Sequence, residues 1–246
     1  MKLSIVTTLY KSSDYINEFY TRITLEAKKI TEDYEIIFVD DGSPDDGLSK
    51  VIKLGKKDHH VKVIELSRNF GHHKAIMTGL NHTNGDYVFL IDSDLEEDPE
   101  LLGKFWEELN NDNQNFDTVY GVQKKRKGYL FEQVSGWFFY KIFNFFSEVK
   151  IPKNFLTIRL MKKKYVENLM AFKEKQVVFS ILNVLNGFKT KKLIVPKKNL
   201  SSSTYSFLVK LNLLLDCITA STPKILKLSF YLGIFITINS FFYILY

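Results

Sequence analysis

The chain has 246 residues, 45% of them hydrophobic, which is enough for one sizeable domain and an appendage. Its formal net charge of +6 suits nucleic acid, anionic lipid or a phosphorylated substrate equally, so charge alone excludes none of these partners. The single cysteine, Cys217, excludes an intrachain disulfide, and the apolar run at the N-terminus is too short for a secretory signal peptide, so we expect a cytosolic main domain.

Apolar runs that are typical of buried parallel strands alternate with helical patterns over the first part of the chain. The predicted strands are Leu3–Leu9, Glu35–Val39, Val61–Leu66 and Tyr87–Ile91, and the predicted helices are Ser13–Ile30, Gly47–Lys56 and Lys74–His82. This alternation predicts an α/β fold in which helices cover both faces of a mostly parallel sheet.

Acidic residues directly follow two of these strands. Asp40 and Asp41 follow the second strand, and Asp92-Ser93-Asp94 follows the last. Because ligands of open α/β sheets bind at the carboxyl ends of the strands, both groups are expected to face one cleft. Carboxylates on alternate residues can chelate Mg²⁺ or Mn²⁺ while the ion bridges the two phosphates of a nucleotide diphosphate. A solvated acidic turn is the alternative interpretation at each position.

The later part of the chain is less regular. An aromatic segment, Phe131–Phe146, is too apolar for an ordinary surface helix and is interpreted as either core or membrane-facing. A basic strand is predicted at Lys191–Val195 and an amphipathic helix at Tyr205–Ile218. At a membrane interface, the aromatic segment and this helix would deliver a lipid head group to the cleft.

The C-terminal segment, Leu228–Tyr246, has no charged residue over about 19 positions, close to the roughly 20 that span a hydrocarbon core. We predict a transmembrane helix; a buried C-terminal helix is the alternative, because Thr237 and Asn239 are polar interruptions. Lys224 and Lys227 precede the segment and no basic residue follows it, so the positive-inside rule predicts a catalytic domain in the cytoplasm.

Three motifs together resemble one known family. They are Val39-Asp40-Asp41-Gly42-Ser43, then Leu66–Gly71 with Ala75 and Gly79-Leu80, then Asp92–Glu96 with Pro99-Glu100. In this order they resemble the family 2 glycosyltransferases with the GT-A nucleotide-diphospho-sugar transferase fold, especially polyprenyl-phosphate glycosyltransferases and dolichyl-phosphate mannose synthases. The resemblance covers nearly the whole chain and implies metal-dependent, inverting hexosyl transfer from a nucleotide-sugar.

The resemblance also implies roles for individual residues. Asp40 and Asp41 would contact the base and ribose, Asp94 would be the principal metal ligand, and Asp92 would lie nearer the sugar or ribose. The residues assigned to the nucleotide-sugar are Thr8, Tyr10, Asp40, Asp41, Gly42, Asp92, Ser93 and Lys198, and those assigned to Mg²⁺ or Mn²⁺ are Asp92, Asp94 and Glu96. Arg68 and Asn69, which the family retains, are interpreted equally as site residues or as structural partners.

The chain departs from the family pattern in two places. Relatives open with Pro-x-Tyr-Asn-Glu where this chain has Thr8–Ser12, so the base-contacting glutamate is missing and the nucleotide preference stays open. Asn154–Met161 resembles the family's acceptor-loop motif; Arg159 is retained, but Thr157 replaces the usual aspartate.

Two lipid acceptors fit the pattern. A polyprenyl phosphate has an anionic oxygen and needs no general base, and Arg126, Arg159 and Lys198 would hold the two phosphate groups. A hydroxyl of a lipid-linked saccharide in cell-surface polysaccharide synthesis requires a base, for which Glu174 is the candidate, although a surface glutamate is an equally good interpretation. No nucleic-acid partner is expected, and homo-oligomerisation is left open.

Other functional classes fit less well. A processive polysaccharide synthase is expected to carry Gln-x-x-Arg-Trp, which precedes neither Trp106 nor Trp137. A nucleotidyltransferase needs a glycine-rich phosphate loop, and Met1–Tyr10 contains no glycine. A catalytically degenerate, membrane-tethered binding subunit is a further alternative, because Thr8 and Thr157 depart from the family pattern.

The domain boundaries follow from these patterns. We predict a cytoplasmic GT-A catalytic domain over 1–200, a juxtamembrane amphipathic segment over 201–224 and a transmembrane helix over 225–246. The predicted helix runs to Tyr246, which indicates either a naturally short form or an incomplete sequence.

Overall fold

The computed structural model describes residues 1–111, 115–124, 154–172, 179–196, 198 and 224–246. The strands are β1 Leu3–Leu9, β2 Tyr34–Asp40, β3 Val61–Glu65, β4 Tyr87–Leu90, β5 Thr118–Val122, β6 Phe155–Lys162 and β7 Thr190–Ile194. The helices are α1 Ile16–Ile30, α2 Gly47–Lys57, α3 His72–Asn81, α4 Leu101–Leu109, α5 Lys163–Met170, α6 Phe179–Leu185 and α7 Lys224–Leu245, and a short 3₁₀ helix, Ser13–Tyr15, precedes α1. The chain divides into two units, Met1–Arg126 with Lys153–Ser202 and Lys127–Pro152 with Ser203–Tyr246.

The first unit is built on one mixed sheet of seven strands in the order β3-β2-β1-β4-β6-β5-β7. The pairings β1 with β2, β1 with β4 and β2 with β3 are parallel, as is β5 with β7. Strand β6 is antiparallel to both of its neighbours, β4 and β5. The predicted α/β class with a mostly parallel sheet is therefore confirmed.

Helices cover both faces of this sheet, as the alternating sequence pattern predicts. On one face, α1 presents Ile16, Phe19 and Ile23, spaced three and four residues apart, to a core that also takes Phe105 of α4. On the other face, α3 packs through Ile76 and Leu80, alongside α5 and α6. All seven side chains of β2 are buried, which explains why its sequence reads as a continuous apolar run and not as an alternation.

Helix α3 lies unusually close to the sheet because Gly79 has no side chain. A Cβ atom at Gly79 would lie 2.5 Å from Val6 Cγ1 and 3.0 Å from Val39 Cγ2, too close for a real contact. The close packing places the first turn of α3 at the carboxyl ends of β1 and β2, where ligands of such sheets bind.

Two differences from the sequence prediction lie near the carboxyl edge of the sheet or between its strands. The segment that resembles an acceptor loop, Asn154–Met161, lies almost entirely in β6, because it fills the antiparallel position between β4 and β5. Helix α3 begins at His72, two residues before the predicted start at Lys74, because Gly71, with φ 98°, forms its N-cap.

In the second unit, the structure describes one helix, α7. Within it, Leu226–Leu245 is a span of 20 residues with a mean hydropathy of 1.8 that is long and apolar enough to cross a membrane. The predicted aromatic segment, Phe131–Phe146, and the predicted amphipathic helix, Tyr205–Ile218, lie outside the described residues.

Candidate functional site

The candidate site lies at the carboxyl ends of β1 and its two neighbours, where the order of strands in the sheet reverses. From β1 the chain proceeds to β2 on one side, whereas β4 pairs with β1 on the other side. Because these strands are parallel, the residues that follow them meet at one edge, which is the usual ligand position in such sheets. Asp40, Asp41 and the Asp92-Ser93-Asp94 segment therefore lie at the same carboxyl edge of the sheet, where one shared cleft is predicted.

Asp40 ends β2 and Asp41 follows it directly; both residues are buried, 2% and 3% exposed. Asp40 Oδ2 accepts a hydrogen bond from the Ser43 amide at 3.2 Å, whereas Asp40 Oδ1 is buried without a hydrogen-bond partner among the described residues. Burial raises the pKa of Asp40, although backbone hydrogen bonds from Ser43 and Gly42 act in the opposite direction. An unpaired buried acceptor here is suited to a ligand donor such as a nucleobase N–H or a ribose hydroxyl.

Asp41 braces the loop that leads into α3. Its Oδ1 accepts the Phe70 amide at 2.7 Å and its Oδ2 accepts the Gly71 amide at 3.0 Å. Each carboxylate oxygen has a second lone pair, so these bonds leave capacity for a ligand. The loop residue Arg68 is exposed, and its guanidinium lies 4.4 Å from the centre of the Phe70 ring.

Gly42 permits the close approach of two loops. Its φ is +62°, and a Cβ atom would lie 2.6 Å from both the carbonyl carbon of Arg68 and the amide nitrogen of Asn69. The glycine predicted as a nucleotide-binding residue therefore also has a steric role, because any side chain would push the Arg68 loop away.

The Asp92-Ser93-Asp94 segment is anchored through its middle residue. Ser93 is 2% exposed, and its hydroxyl donates to the backbone carbonyl of Thr8 at 2.9 Å and lies 3.1 Å from Ser12 Oγ. Asp94 Oδ1 accepts the Glu96 amide at 3.0 Å, and Leu95 between them has φ 57°, a conformation that is uncommon for a leucine. This turn holds the two aspartates on either side of a fixed serine.

The carboxylates predicted to bind a metal are not gathered into a complete protein cage. Asp92 Oδ1 is buried without a hydrogen-bond partner among the described residues, and Asp92 and Asp94 are partly exposed. Glu96 is only 7% exposed, and the three carboxylates do not form a group with all ligand atoms within 4.8 Å, as far as the described residues are concerned. The arrangement fits an ion that takes one or two carboxylate ligands and completes its shell with phosphate oxygens and water, as Mg²⁺ typically does.

The side chains of Asp58, His59 and His60 do place their possible ligand atoms within 4.8 Å of one another. They lie at the opposite edge of the sheet, just before β3. Its contacts are those of a structural turn. Asp58 Oδ1 accepts the His60 amide at 3.0 Å and lies 2.7 Å from His60 Nδ1, while Asp58 Oδ2 accepts the Tyr20 hydroxyl at 2.7 Å. These bonds attach the turn to α1 and account for the cluster without a ligand.

Two histidines begin α3, and one of them, His72, lies close to two of the predicted site residues, which the sequence analysis missed. The Thr8 hydroxyl lies 3.2 Å from His72 Nδ1, and His72 Nε2 lies 3.6 Å from Asp92 Oδ1. The adjacent His73 is half-buried with its Nδ1 enclosed, and desolvation, followed by the charges of His72 and Arg159, lowers its pKa to about 4. The signal available in the sequence was a histidine pair directly after the glycine that ends a loop between a strand and a helix.

Arg159 is enclosed in this structure. It is 1% exposed; its Nε donates to the Thr157 carbonyl at 2.9 Å and its Nη2 to the Leu156 carbonyl at 3.1 Å. Its guanidinium lies 4.7 Å from the ring centre of Phe155 and 4.4 Å from that of Phe179, within cation–π range. In this arrangement Arg159 is turned towards the protein interior and not towards a phosphate in the cleft.

The charge of Arg159 nevertheless acts near the site. Burial lowers its pKa to about 10, while Tyr165, Tyr120 and Asp92 act in the opposite direction, so the guanidinium is still protonated at neutral pH. A fixed cation behind Asp92 partly balances the carboxylates that collect at this edge.

The remaining predicted residues are only partly brought together. Tyr10 is 47% exposed just past β1. The Lys198 amide donates to the Glu96 carbonyl at 2.9 Å, which brings Lys198 beside the aspartate segment, but its Nζ donates to Asp98 Oδ1 at 2.6 Å. Arg126 and Glu174 lie outside the described residues.

The comparisons with known proteins agree on one family. The profile of glycosyl transferase family 2 matches residues 4–170. A relative from Mycobacterium tuberculosis (strain CDC 1551 / Oshkosh) is 45% identical over 240 residues, which cover 98% of this chain and 70% of the relative. The undecaprenyl-phosphate 4-deoxy-4-formamido-L-arabinose transferase of Salmonella choleraesuis (strain SC-B67) is 28% identical over 98% of this chain and 73% of its own length.

A solved structure supports the fold. The mannosyltransferase PcManGT of Pyrobaculum calidifontis, in complex with GDP-Man and Mn²⁺, superposes with a TM-score of 0.57 at 17% identity and covers 82% of this chain and 58% of its own. At that identity the likeness is evidence for the fold alone, and it confirms the GT-A architecture predicted from the motifs.

Proposed function

The chain belongs to glycosyl transferase family 2, and we propose that it moves a sugar from a nucleotide-diphospho-sugar to a polyprenyl phosphate at the cytoplasmic face of a membrane. The observation that carries the proposal is the meeting of Asp40, Asp41, Asp92 and Asp94 at the carboxyl edge of three parallel strands. The choice of acceptor is supported by the Salmonella relative, which is named for undecaprenyl phosphate and aligns with 98% of this chain.

The donor would be held by its two ends. Asp40 and Asp41, with Gly42, form the base and ribose end, since their buried oxygens retain acceptor capacity. Asp92 and Asp94 form the diphosphate end. Thr8, Tyr10, Ser93 and Lys198 complete the set proposed to bind the nucleotide-sugar.

Mg²⁺ or Mn²⁺ fits the diphosphate end, since hard carboxylate oxygens on an open segment suit such ions. Asp94 would be the principal ligand, Asp92 would lie beside it, and Glu96 is the third proposed ligand. A bound ion of this kind neutralises the charge that develops on a departing diphosphate. The Pyrobaculum structure, which has the same fold, contains Mn²⁺ together with GDP-Man.

The transfer itself places small demands on protein side chains. A lipid phosphate oxygen, already anionic at neutral pH, forms a bond to the anomeric carbon as the bond from that carbon to the nucleotide diphosphate breaks. The negative charge passes from acceptor to leaving group, so no proton has to be removed and no general base is needed. In-line displacement inverts the anomeric carbon, and the protein's task is to align the reactants. Arg126 and Lys198 remain the proposed phosphate cations, whereas Arg159 would reach a phosphate only if its side chain left the interior position that it occupies in this structure.

Membrane attachment through α7 is supported by how its polar side chains are bonded. The Thr237 hydroxyl donates to the Gly233 carbonyl at 2.9 Å, and Asn239 Nδ2 donates to the Phe235 carbonyl at 2.8 Å. Because these donors bond to the carbonyl one turn earlier, the polar interruptions are compatible with a hydrocarbon environment. Lys224 at its start supports the cytoplasmic orientation.

The test is sugar transfer by the full chain purified in detergent. Labelled nucleotide-sugars of the UDP, GDP and dTDP series are incubated with undecaprenyl phosphate and Mn²⁺ or Mg²⁺, and a chelator serves as the control. We expect a chelator-sensitive sugar-phospholipid from one donor. If sugar is transferred only to a lipid-linked saccharide, the acceptor group is a hydroxyl and Glu174 becomes the candidate base. Nucleotide binding without turnover on either acceptor would favour a degenerate binding subunit.

A further inference from the structure

The imidazole of His72 lies between the ends of two strands of the sheet. His72 is the first residue of α3, and its side chain is 36% exposed. Its Nδ1 lies 3.2 Å from the hydroxyl of Thr8, which is in β1, and its Nε2 lies 3.6 Å from Oδ1 of Asp92, just past β4. The His72 ring therefore lies between β1 and the Asp92-Ser93-Asp94 segment that follows β4.

One tautomer of this ring gives a suitable partner to both of its nitrogens. A neutral imidazole has one donor and one acceptor nitrogen. If the Thr8 hydroxyl donates to Nδ1, the ring proton is on Nε2, which is the nitrogen directed at Asp92. A neutral ring can thus present a donor to the carboxylate without placing a fixed cation beside it.

Asp92 Oδ1 requires such a neighbour. It is buried and has no hydrogen-bond partner within 3.5 Å among the described residues. His72 Nε2, which can donate a hydrogen bond, lies 3.6 Å from it. A buried carboxylate oxygen without any donor is costly. A small closure of the gap to His72 would satisfy this oxygen and fix the plane of the carboxylate.

The position of His72 is itself rigidly set. Asp41 binds the two backbone amides that precede His72, those of Phe70 and Gly71, and Gly79 lets α3 lie close against the sheet. Side chains that hold a metal-binding carboxylate from behind are effective only if they are themselves fixed.

From this geometry we propose that His72 is a positioning residue, which holds the carboxylate of Asp92 through Nε2 so that its other oxygen faces the diphosphate and its ion. The inference rests on the proposed function, because it assumes that Asp92 takes part in the metal and donor site. The contribution of His72 would be the orientation of this carboxylate. Groups of this kind affect metal affinity by about 10–100-fold when removed.

The experiment measures Mn²⁺ binding to the full chain in detergent, by electron paramagnetic resonance of free Mn²⁺, alone and with UDP or GDP. The variants are His72→Ala, which removes the ring, and His72→Gln, whose amide can place a donor near the position of Nε2. His82→Ala is the matched control, since His82 follows the last turn of the same helix and is exposed. Unfolding midpoints of all variants are recorded in parallel.

We expect His72→Ala to weaken Mn²⁺ binding about tenfold or more, and His72→Gln and His82→Ala to stay within about threefold of the wild type. Unchanged Mn²⁺ affinity in His72→Ala would overturn the inference while leaving the proposed function intact. Equal losses in His72→Ala and His72→Gln would also overturn it, because they would indicate that the ring itself binds the ion. If the wild type binds no Mn²⁺ with either nucleotide, the metal site of the proposed function fails together with the inference.

Discussion

At the scale of single residues, the site depends on side chains that serve structure and ligand at once. Asp41 holds two backbone amides and is still proposed to contact the nucleotide, and Ser93 anchors the loop between two candidate ligands. Asp40 is an exception. Its pKa is raised, which indicates that the backbone hydrogen bonds to its carboxylate do not fully offset the cost of burying that charge. Stability contributed by protonated Asp40 is present at low pH and is lost as pH rises through its raised pKa.

Replacing Gly42 with alanine should destabilise the protein by about 2–4 kcal/mol, since a left-handed backbone strain adds to a clash with backbone atoms. The Cβ would lie 2.6 Å from the carbonyl carbon of Arg68 and from the amide of Asn69. Thermal unfolding of the full chain should show a midpoint about 5–10 °C lower. Gly187→Ala is the matched control: Gly187 also has a positive φ, of 69°, but its Cβ would have only the Leu185 carbonyl oxygen within 4 Å, at 3.8 Å. Equal losses in both variants would contradict the steric argument.

Asp94→Asn should abolish metal-dependent sugar transfer without unfolding the protein. The asparagine keeps an Oδ1 that can accept the Glu96 amide, now at 3.0 Å, but it loses the charge that binds the ion. The expected loss is about 100-fold or more, in line with the several kcal/mol that a bound ion supplies. Transfer to the lipid acceptor is the measurement, with the exposed Asp14→Asn as control. Wild-type activity in Asp94→Asn would mean that the ion binds elsewhere.

At the scale of elements, an ionic network connects α1 with the segment that follows the aspartates. Arg22 Nε donates to Glu100 Oε1 at 2.8 Å, and its Nη2 donates to Glu100 Oε2 at 2.6 Å and to Asp98 Oδ1 at 2.8 Å. Lys198 binds the same Asp98 oxygen from the loop after β7. Three parts of the first unit thus meet at one group of charges beside the site.

Arg22→Met should lower stability at neutral pH by about 1 kcal/mol, or about 3 °C, since such networks are partly exposed. Lys198, then Arg22, lower the pKa of Asp98, and Arg22 lowers the pKa of Glu100. Lowered carboxyl pKa values stabilise the fold above their ordinary range near 4, and this stabilisation is lost as pH falls through the lowered values. The midpoints of wild type and variant should therefore converge below about pH 3.

The control for this series is Lys28→Met, because Lys28 is an exposed cation on the same helix. It should follow the wild type at every pH. A constant difference between Arg22→Met and wild type across pH 3–7 would indicate that the Arg22 stem, and not its charge, stabilises the contact.

At the scale of the whole molecule, the two units differ in whether their apolar side chains are buried. The first unit buries its apolar residues between a sheet and helices on both faces. The described helix of the second unit exposes large apolar side chains along its length, Phe230, Phe235 and Phe241 among them. An apolar surface of this extent is unfavourable in water and suits a lipid environment.

Deleting residues 224–246 should release the protein from membranes. The full chain is expected to stay in the pellet after alkaline carbonate extraction, and the shortened chain to appear in the supernatant, because only a spanning helix resists that treatment. Replacing Leu226–Leu245 with 20 residues of leucine and alanine should restore retention, since length and apolarity are the properties required. Carbonate release of the full chain would argue against a spanning helix.

The sequence by itself determined the alternation of strands and helices, the two acidic segments and the apolar C-terminal helix, because each depends on local periodicity or on adjacent residues. Strand and helix bounds agree within a few residues for β1, β2 and α2. The antiparallel insertion of β6 was decided only by the tertiary structure, since its pairing with β4 and β5 joins residues far apart in the chain. The same holds for the site: Asp40, Asp41, Asp92 and Asp94 were visible as motifs, whereas the approach of His72 to Asp92 arises from the packing of α3 across the sheet.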